Sequence, residues 1–193
     1  MNLILGLDVA QRTGWAAYRP DRSISAIQAG VLKAEGESFE ERAATLGRQF
    51  GLLLKETGKP ALVAIETPLR MLPQGKRTAK MMGEEETIVG AGGGANAMIS
   101  SNQLVGAISA ICGWKALTFV CIPAATWRKA FLGFARQPGW DRKAWKKAVR
   151  EQCARERITV TNDDMADAVG IAIAAKITPE FRQIQYEQSR RAA

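Results

Sequence analysis

The chain contains no histidine. That absence excludes Ser-His-Asp and Cys-His catalysis, histidine-based nuclease chemistry and histidine-containing zinc sites. Acid–base or metal chemistry must then rest on carboxylates, Lys, Tyr, Cys or water. Cysteine is scarce. Cys112, Cys121 and Cys153 are an odd number with no paired spacing, and they read as reduced, mostly buried thiols of a cytosolic protein. Long apolar runs are missing too. No stretch reaches the roughly 20 apolar residues that span a bilayer. The apolar opening from Met1 to Ala10 is short and carries Asp8, so it does not read as a signal peptide. Acidic charge is in deficit: 19 Asp and Glu against 27 Lys and Arg leave a net +8. That balance suits an acidic partner, most simply nucleic acid.

What is present fits one α/β domain. The chain has 193 residues, 47% hydrophobic and 24% charged, enough for a packed core and unlike a disordered chain. Asn2 to Val9 reads as a buried strand, Thr13-Gly14 as a turn, Trp15 to Tyr18 as a second strand. Ser25 to Leu32 reads as a third, with Gly30 a possible bulge. Ser38-Phe39-Glu40-Glu41 is a capping box opening a helix to about Glu56. Ala61 to Glu66 is a strand ending on a carboxylate. A long polar loop is expected from Thr67 to about Ala95, with Gly90 to Gly94 as a hinge lacking the ending of a phosphate loop. Then come a helix from Asn96 to Cys112, a strand from Leu117 to Ile122, and a short helical piece within Pro123 to Phe134. A helix capped by Asp141 and another capped by Asn162 or Thr161 complete the domain. The order βββαβαβα implies a mixed sheet with helices on its faces. Residues 1–178 form the domain, and 179–193 form a polar tail read as a surface helix.

Four acidic residues stand in apolar surroundings. Asp8 sits in Leu5-Gly6-Leu7-Asp8-Val9-Ala10, and Glu66 ends Leu62-Val63-Ala64-Ile65-Glu66. Asp164 and Asp167 open a helix that is otherwise apolar nearly all round to Ala175, and they share a face at i and i+3. Each has a plainer reading. Asp8 and Glu66 suit strand ends, and acids in a first helical turn complement the helix dipole. Their joint occurrence is more specific than any member. Burying unpaired carboxylates costs several kcal/mol, and a divalent cation is a sufficient partner. An all-oxygen donor set suits Mg²⁺, or Mn²⁺ in its place. Two such ions about 4 Å apart activate water and stabilise an in-line phosphoryl displacement.

At these residues the sequence resembles the RuvC family of Holliday-junction resolvases, within the RNase H-like superfamily. Ile4-Leu5-Gly6-Leu7-Asp8-Val9-Ala10 resembles the family's first strand with its catalytic Asp. Ala64-Ile65-Glu66 resembles the second catalytic strand, and Asp164-Met165-Ala166-Asp167-Ala168 the closing Asp-x-x-Asp-Ala helix. The match runs over residues 2 to 176. Pro123-Ala124-Ala125-Thr126-Trp127-Arg128-Lys129 looks closer to phage-borne members, while the loop after Glu66 is longer than in housekeeping ones. The resemblance implies an RNase H-like fold, with a mixed five-stranded sheet of three antiparallel strands followed by βα units, flanked by helices. It implies catalytic and metal-binding roles for Asp8, Glu66, Asp164 and Asp167, with two Mg²⁺ ions per site. It also implies a homodimer and cleavage of branched DNA in a bacterial or phage-infected cytoplasm.

Positive charge concentrates in one stretch. Arg128 to Arg157 holds ten basic and three acidic residues, a net +7. In the Asp141 helix, Lys143, Lys146, Lys147 and Arg150 share one face, opposite Trp145, Ala148, Val149 and Cys153. That face reads as a solvated stripe or as contact with DNA phosphates. Arg128 or Lys129, and one lysine of the helix, resemble the family's basic residues near the active site. The loop adds Arg70, Lys76, Arg77 and Lys80, with Leu69, Met71 and Leu72 as a candidate apolar wedge, while Glu84-Glu85-Glu86 is expected to face away from DNA. Trp114, Trp127 and Trp140 read as packing residues. Leu104, Ile108 and Ile111 form a stripe that packs on the sheet or forms a dimer interface. The leading function is a structure-selective endodeoxyribonuclease for Holliday junctions. The alternatives are a fork or flap nuclease and a non-catalytic DNA-binding module of the same fold. A sugar-kinase or actin-like ATPase needs a second domain that 193 residues do not supply.

Overall fold

The computed structural model describes the backbone of residues 2–70, 74–81, 84–91 and 95–192, and the side chains of 2–70 and 95–191. Its centre is a five-stranded mixed sheet in the order β3-β2-β1-β4-β7. Strands β1 (Ile4–Asp8), β2 (Arg12–Tyr18) and β3 (Gln28–Lys33) form an antiparallel meander. Strands β4 (Leu62–Glu66) and β7 (Phe119–Ile122) add parallel pairs beside β1. Thr13 lies inside β2. Its buried hydroxyl donates to the Ala10 carbonyl at 2.7 Å, closing the turn that follows β1.

Strand alternation separates two cores. Leu3, Leu5, Leu7, Val63 and Ile65 face helices α1 (Phe39–Thr57) and α2 (Ala95–Trp114). Ile4, Leu62 and Ala64 face the other layer. That layer holds α3 (Ala124–Leu132), α4 (Arg142–Arg155), α5 (Asp163–Ala175) and α6 (Pro179–Ala192). The helix starts follow their caps: Ser38 and Glu41 form the reciprocal capping box, Asp141 accepts from the Ala144 amide, and Asn162 accepts from Met165. The tail is helical, and α6 is anchored by a fully buried Phe181. Leu104 and Ile108 are buried in the protein's own core, so that stripe of α2 packs on the sheet.

The expectations change in several places. Thr13 and Gly14, read as a turn, belong to β2, with Gly14 opposite Asp8. Ser25 and Ala26, read as strand, lie in a short 3-10 helix before β3. Gly30 makes no bulge, because the β2–β3 register runs unbroken through Trp15 opposite Gly30. A Cβ there would meet the Trp15 ring at 2.7 Å, so the glycine makes room for the indole. The expected loop after Glu66 contains an antiparallel hairpin, β5 (Gln74–Met81) with β6 (Glu84–Ala91). It lacks apolar alternation, which hides it from periodicity. Its two strands are joined by an unbroken backbone register from Gln74 opposite Ala91 to Met81 opposite Glu84. Gly90 lies in β6, while residues 92–94 of the expected hinge and Met71 and Leu72 of the wedge lie outside the described residues.

Helix α5 rests almost directly on the sheet because two glycines lie beneath it. A Cβ on Gly6 would sit 2.5 Å from the Ala168 carbonyl oxygen, and one on Gly14 would collide with the Asp164 carbonyl. Backbone atoms cannot step aside as a flexible side-chain end can. Gly6→Ala and Gly14→Ala are each expected to cost about 1–3 kcal/mol, read from urea unfolding. Gly51→Ala, inside α1 with nothing within 4 Å of the added Cβ, should instead stabilise by about 0.5–1 kcal/mol. Unchanged stability in both sheet variants would show that the helix can lift without cost.

Candidate active site

Strand register brings the first two acids together. Leu7 pairs with Ile65 at the end of the β1–β4 ladder, so Asp8 and Glu66 close neighbouring parallel strands at one edge of the sheet. Open α/β sheets place their sites at this carboxyl end. Alternation aims both residues at the α5 face, on the same side as Gly6 and Ala64. Helix α5 enters there from its Asn162 cap and brings Asp163, Asp164 and Asp167 in its first turns. Asp8 stands opposite Gly14 in the β1–β2 register, and Gly14 lies under the Asp164 backbone.

The charges interact strongly. Burial, then Asp167 and Glu66, push the Asp8 carboxyl up to about 8, with Lys146 opposing and Asp164 adding to the rise. Burial also raises Asp167, to about 6, against the pull of Lys146. Lys146 Nζ lies 3.4 Å from Asp167 Oδ2 and 3.8 Å from Asp163 Oδ2. Arg12 Nε lies 3.4 Å from Asp164 Oδ2. Among the described residues Asp8 makes no ion pair, and no three acidic or thiol side chains stand close enough together to hold a metal ion as they are placed. The oxygen donors nonetheless suit a hard divalent cation. A carboxyl forced to hold a proton among other carboxyls is a place where added positive charge is favourable.

The basic residues divide by position. Lys146 turns inward to the acids, its side chain 20% exposed, whereas Lys147 is 76% exposed. Lys143, Lys147 and Arg150 line an open groove beside Asp163. Lys129 is exposed, and Arg128 is half-buried between two aromatic rings. Arg70 lies apart, in a groove with Pro68, Asn102, Phe119 and Cys121. The side chains of Lys76, Arg77 and Lys80 lie outside the described residues. Cys112 and Cys153 are buried, and burial lifts their thiols to about 11 and about 12, so they are inert.

Two site residues escaped the sequence reading. Arg12 pairs with Asp164 and lines a second groove with Arg42, Asn96, Ser100 and Ser101. Its signal was a cation four residues beyond the Asp8 strand end. Trp127 is fully buried as expected of a packing residue, but its indole N–H also donates to Glu66 Oε2 at 2.7 Å. A buried indole N–H needs an acceptor, and the sequence does not say which.

No family model matches the chain, and no curated protein does. Among solved structures it is similar to Thermus thermophilus RuvC in complex with Holliday junction substrate. Identity is 14%, the match covers 90% of this chain and 92% of that one, and the TM-score is 0.59. A second Thermus thermophilus RuvC structure matches at 14% identity over 97% of this chain and 96% of that one, with a TM-score of 0.57. The fold is RNase H-like, of the RuvC type. Among the described residues no helix is long and apolar enough to cross a membrane.

The raised Asp8 carboxyl has a sign that stability can test. The folded state holds a proton that the unfolded chain releases near 3.8, so stability falls as pH rises from about 4 through about 8. In EDTA, Asp8→Asn should flatten that slope and melt higher than the parent protein at pH 8.5, by roughly 2–4 °C per kcal/mol. Parallel melting curves across pH would remove the buried charge from the account.

Proposed function

We propose that this protein is a metal-dependent endodeoxyribonuclease that cuts phosphodiester bonds in branched DNA, four-way junctions foremost. The observation that carries the reading is Asp8, which among the described residues has no ion pair and faces the charges of Glu66, Asp164 and Asp167 at the carboxyl end of an RNase H-like sheet. The likeness to a RuvC structure that contains a Holliday junction supports branched DNA as the substrate. Asp8, Glu66, Asp164 and Asp167 would hold Mg²⁺, or Mn²⁺ in its place. Two such ions supply an activated water and charge stabilisation for an in-line displacement.

The chain's own residues do the rest. Lys146 offsets part of the acidic charge and holds Asp167, and Arg12 holds Asp164. Lys143, Lys147 and Arg150 present exposed cations in the groove beside Asp163, Arg150 within 3.8 Å of Asp163 and Lys147 within 3.8 Å of Glu151, and a phosphate backbone would lie along that groove. Paired cuts across a two-fold junction need two sites at fixed spacing, so the working unit is a homodimer. Sedimentation of a junction complex with one protomer would overturn that part.

The direct test is cleavage of labelled four-way, three-way, flap and linear duplex DNA with Mg²⁺ or EDTA. Four-way DNA should be cut fastest, and only with metal. Asp8→Asn, Glu66→Gln and Asp167→Asn should abolish cutting while leaving junction binding intact. Preference for flaps would make this a flap nuclease. Binding without cutting under any metal would make it a DNA-binding module.

Electrostatics give a second check. Affinity for duplex arms should fall with salt at a log-log slope of about −0.9 per phosphate neutralised. Lys143→Ala with Lys147→Ala should reduce that slope by roughly 1 per side chain. An unaltered slope would place α4 away from the DNA.

A further inference from the structure

Trp127 sits where three parts of the site meet. It belongs to α3, and its side chain is fully buried. Its indole N–H donates to Glu66 Oε2 at 2.7 Å, joining α3 to the end of β4 across 61 residues. One face of the ring lies against α5 at Gly170, where an added Cβ would fall 2.8 Å from the ring carbons. Gly170 follows Asp167 by three residues, so the ring rests on the helical turn that carries that acid. Arg128 also packs on the ring. Its guanidinium carbon is 5.2 Å from the Trp127 centroid and 4.9 Å from that of Trp145. Trp145 in turn packs on Trp140 at 5.1 Å and Phe134 at 5.8 Å. An indole held by Gly170 and the Arg128 stack has little freedom to turn, so its N–H is fixed in direction.

We infer that Trp127 is a positioning residue for the metal-dependent reaction: it fixes the carboxylate of Glu66 relative to Asp167 and occupies Oε2, leaving Oε1 for a cation. The inference rests on the metal-dependent reading above. Partners that orient a ligand from behind typically change metal affinity or activity by about 10–100-fold when removed. A ring that only filled space would do nothing of the kind, because an isostere would fill the same space.

The test separates hydrogen bond from packing. Trp127 is replaced by 3-benzothienylalanine, which keeps the ring shape and puts sulfur in place of N–H. Mn²⁺ affinity of the DNA-free protein is read from the free-ion paramagnetic resonance signal, and thermal unfolding is read in EDTA. The substituted protein should bind Mn²⁺ about 10–100-fold more weakly and need correspondingly more Mg²⁺ for half-maximal cleavage. Its junction affinity in EDTA should stay close to that of the parent, and its metal-free melting point should fall by no more than the few degrees that a single hydrogen bond supports. Parent-like Mn²⁺ binding in the substituted protein overturns this inference alone. Absence of Mn²⁺ binding by the unsubstituted protein both alone and with junction DNA bound overturns the metal-dependent reading, and this inference with it; where Mn²⁺ binds only with DNA, the two proteins are compared in that complex. If the replacement does not fold, ¹⁵N-indole spectra of the unsubstituted protein and Glu66→Ala decide. One slowly exchanging indole N–H should move and lose protection in Glu66→Ala and should shift on addition of Mg²⁺ to the unsubstituted protein. An indole spectrum indifferent to both removes Trp127 from the role.

Discussion

The close seating of α5 on β1 and β2 is the constraint on which the rest depends. At Gly6 and Gly14 helix backbone replaces side chain as the neighbour of the sheet. Ala166, Ala168 and Ala172 on that helix are fully buried, so both surfaces at the contact are small. Small residues permit the approach, and the approach puts an acidic first turn against the end of β1. A helix held farther off by larger side chains would leave Asp8 facing solvent, where a carboxyl keeps its ordinary acidity. The electrostatic character of the site is thus a consequence of packing.

That character has two layers. The inner one is acidic, with burial and mutual repulsion strong enough to raise Asp8 to about 8 and Asp167 to about 6. The outer one is basic. Lys146 belongs to the inner layer although it comes from the same helical face as Lys143, Lys147 and Arg150. The packing of α4 beside α5 explains the difference, because the residue nearest α5 meets Asp163 and Asp167 before it meets solvent. Four similar cations in sequence therefore have different surroundings, and a substitution at Lys146 acts on the acids first.

The sequence was most legible where local chemistry decides the outcome. Ser38 with Glu41, Asp141 and Asn162 cap helices whose starts fall where the caps place them. The apolar flanks of Asp8 and Glu66 identified strand ends, and alternation then fixes which sheet face each acid shares. The hairpin strands Gln74–Met81 and Glu84–Ala91 were not legible, because neither sequence carries an apolar face of period two. Nor was the partner of Trp127, since a contact across 61 residues depends on how layers stack. Arg12 carries only a weak mark, a cation four residues beyond Asp8, because its partner Asp164 lies 152 positions away on another element.

The two basic grooves also explain how a polyanion can approach an acidic site. Phosphates brought to four carboxylates alone would be repelled, and in water two unit charges about 4 Å apart interact by about 1 kcal/mol, rising several-fold near a protein surface. Lys143, Lys147 and Arg150 lie on one side of the acids, while Arg12 and Arg42 line the groove on the Asp164 side. Under the proposed function these flanks attract the backbone on both sides of the scissile bond and leave the repulsion confined to the point where metal would bind. Cation and DNA then favour each other: the ion removes the local repulsion, and the nearby phosphates add negative charge that holds the ion. Such mutual support is reciprocal by linkage, so under the proposed function the site would bind metal more tightly with DNA in place than without it.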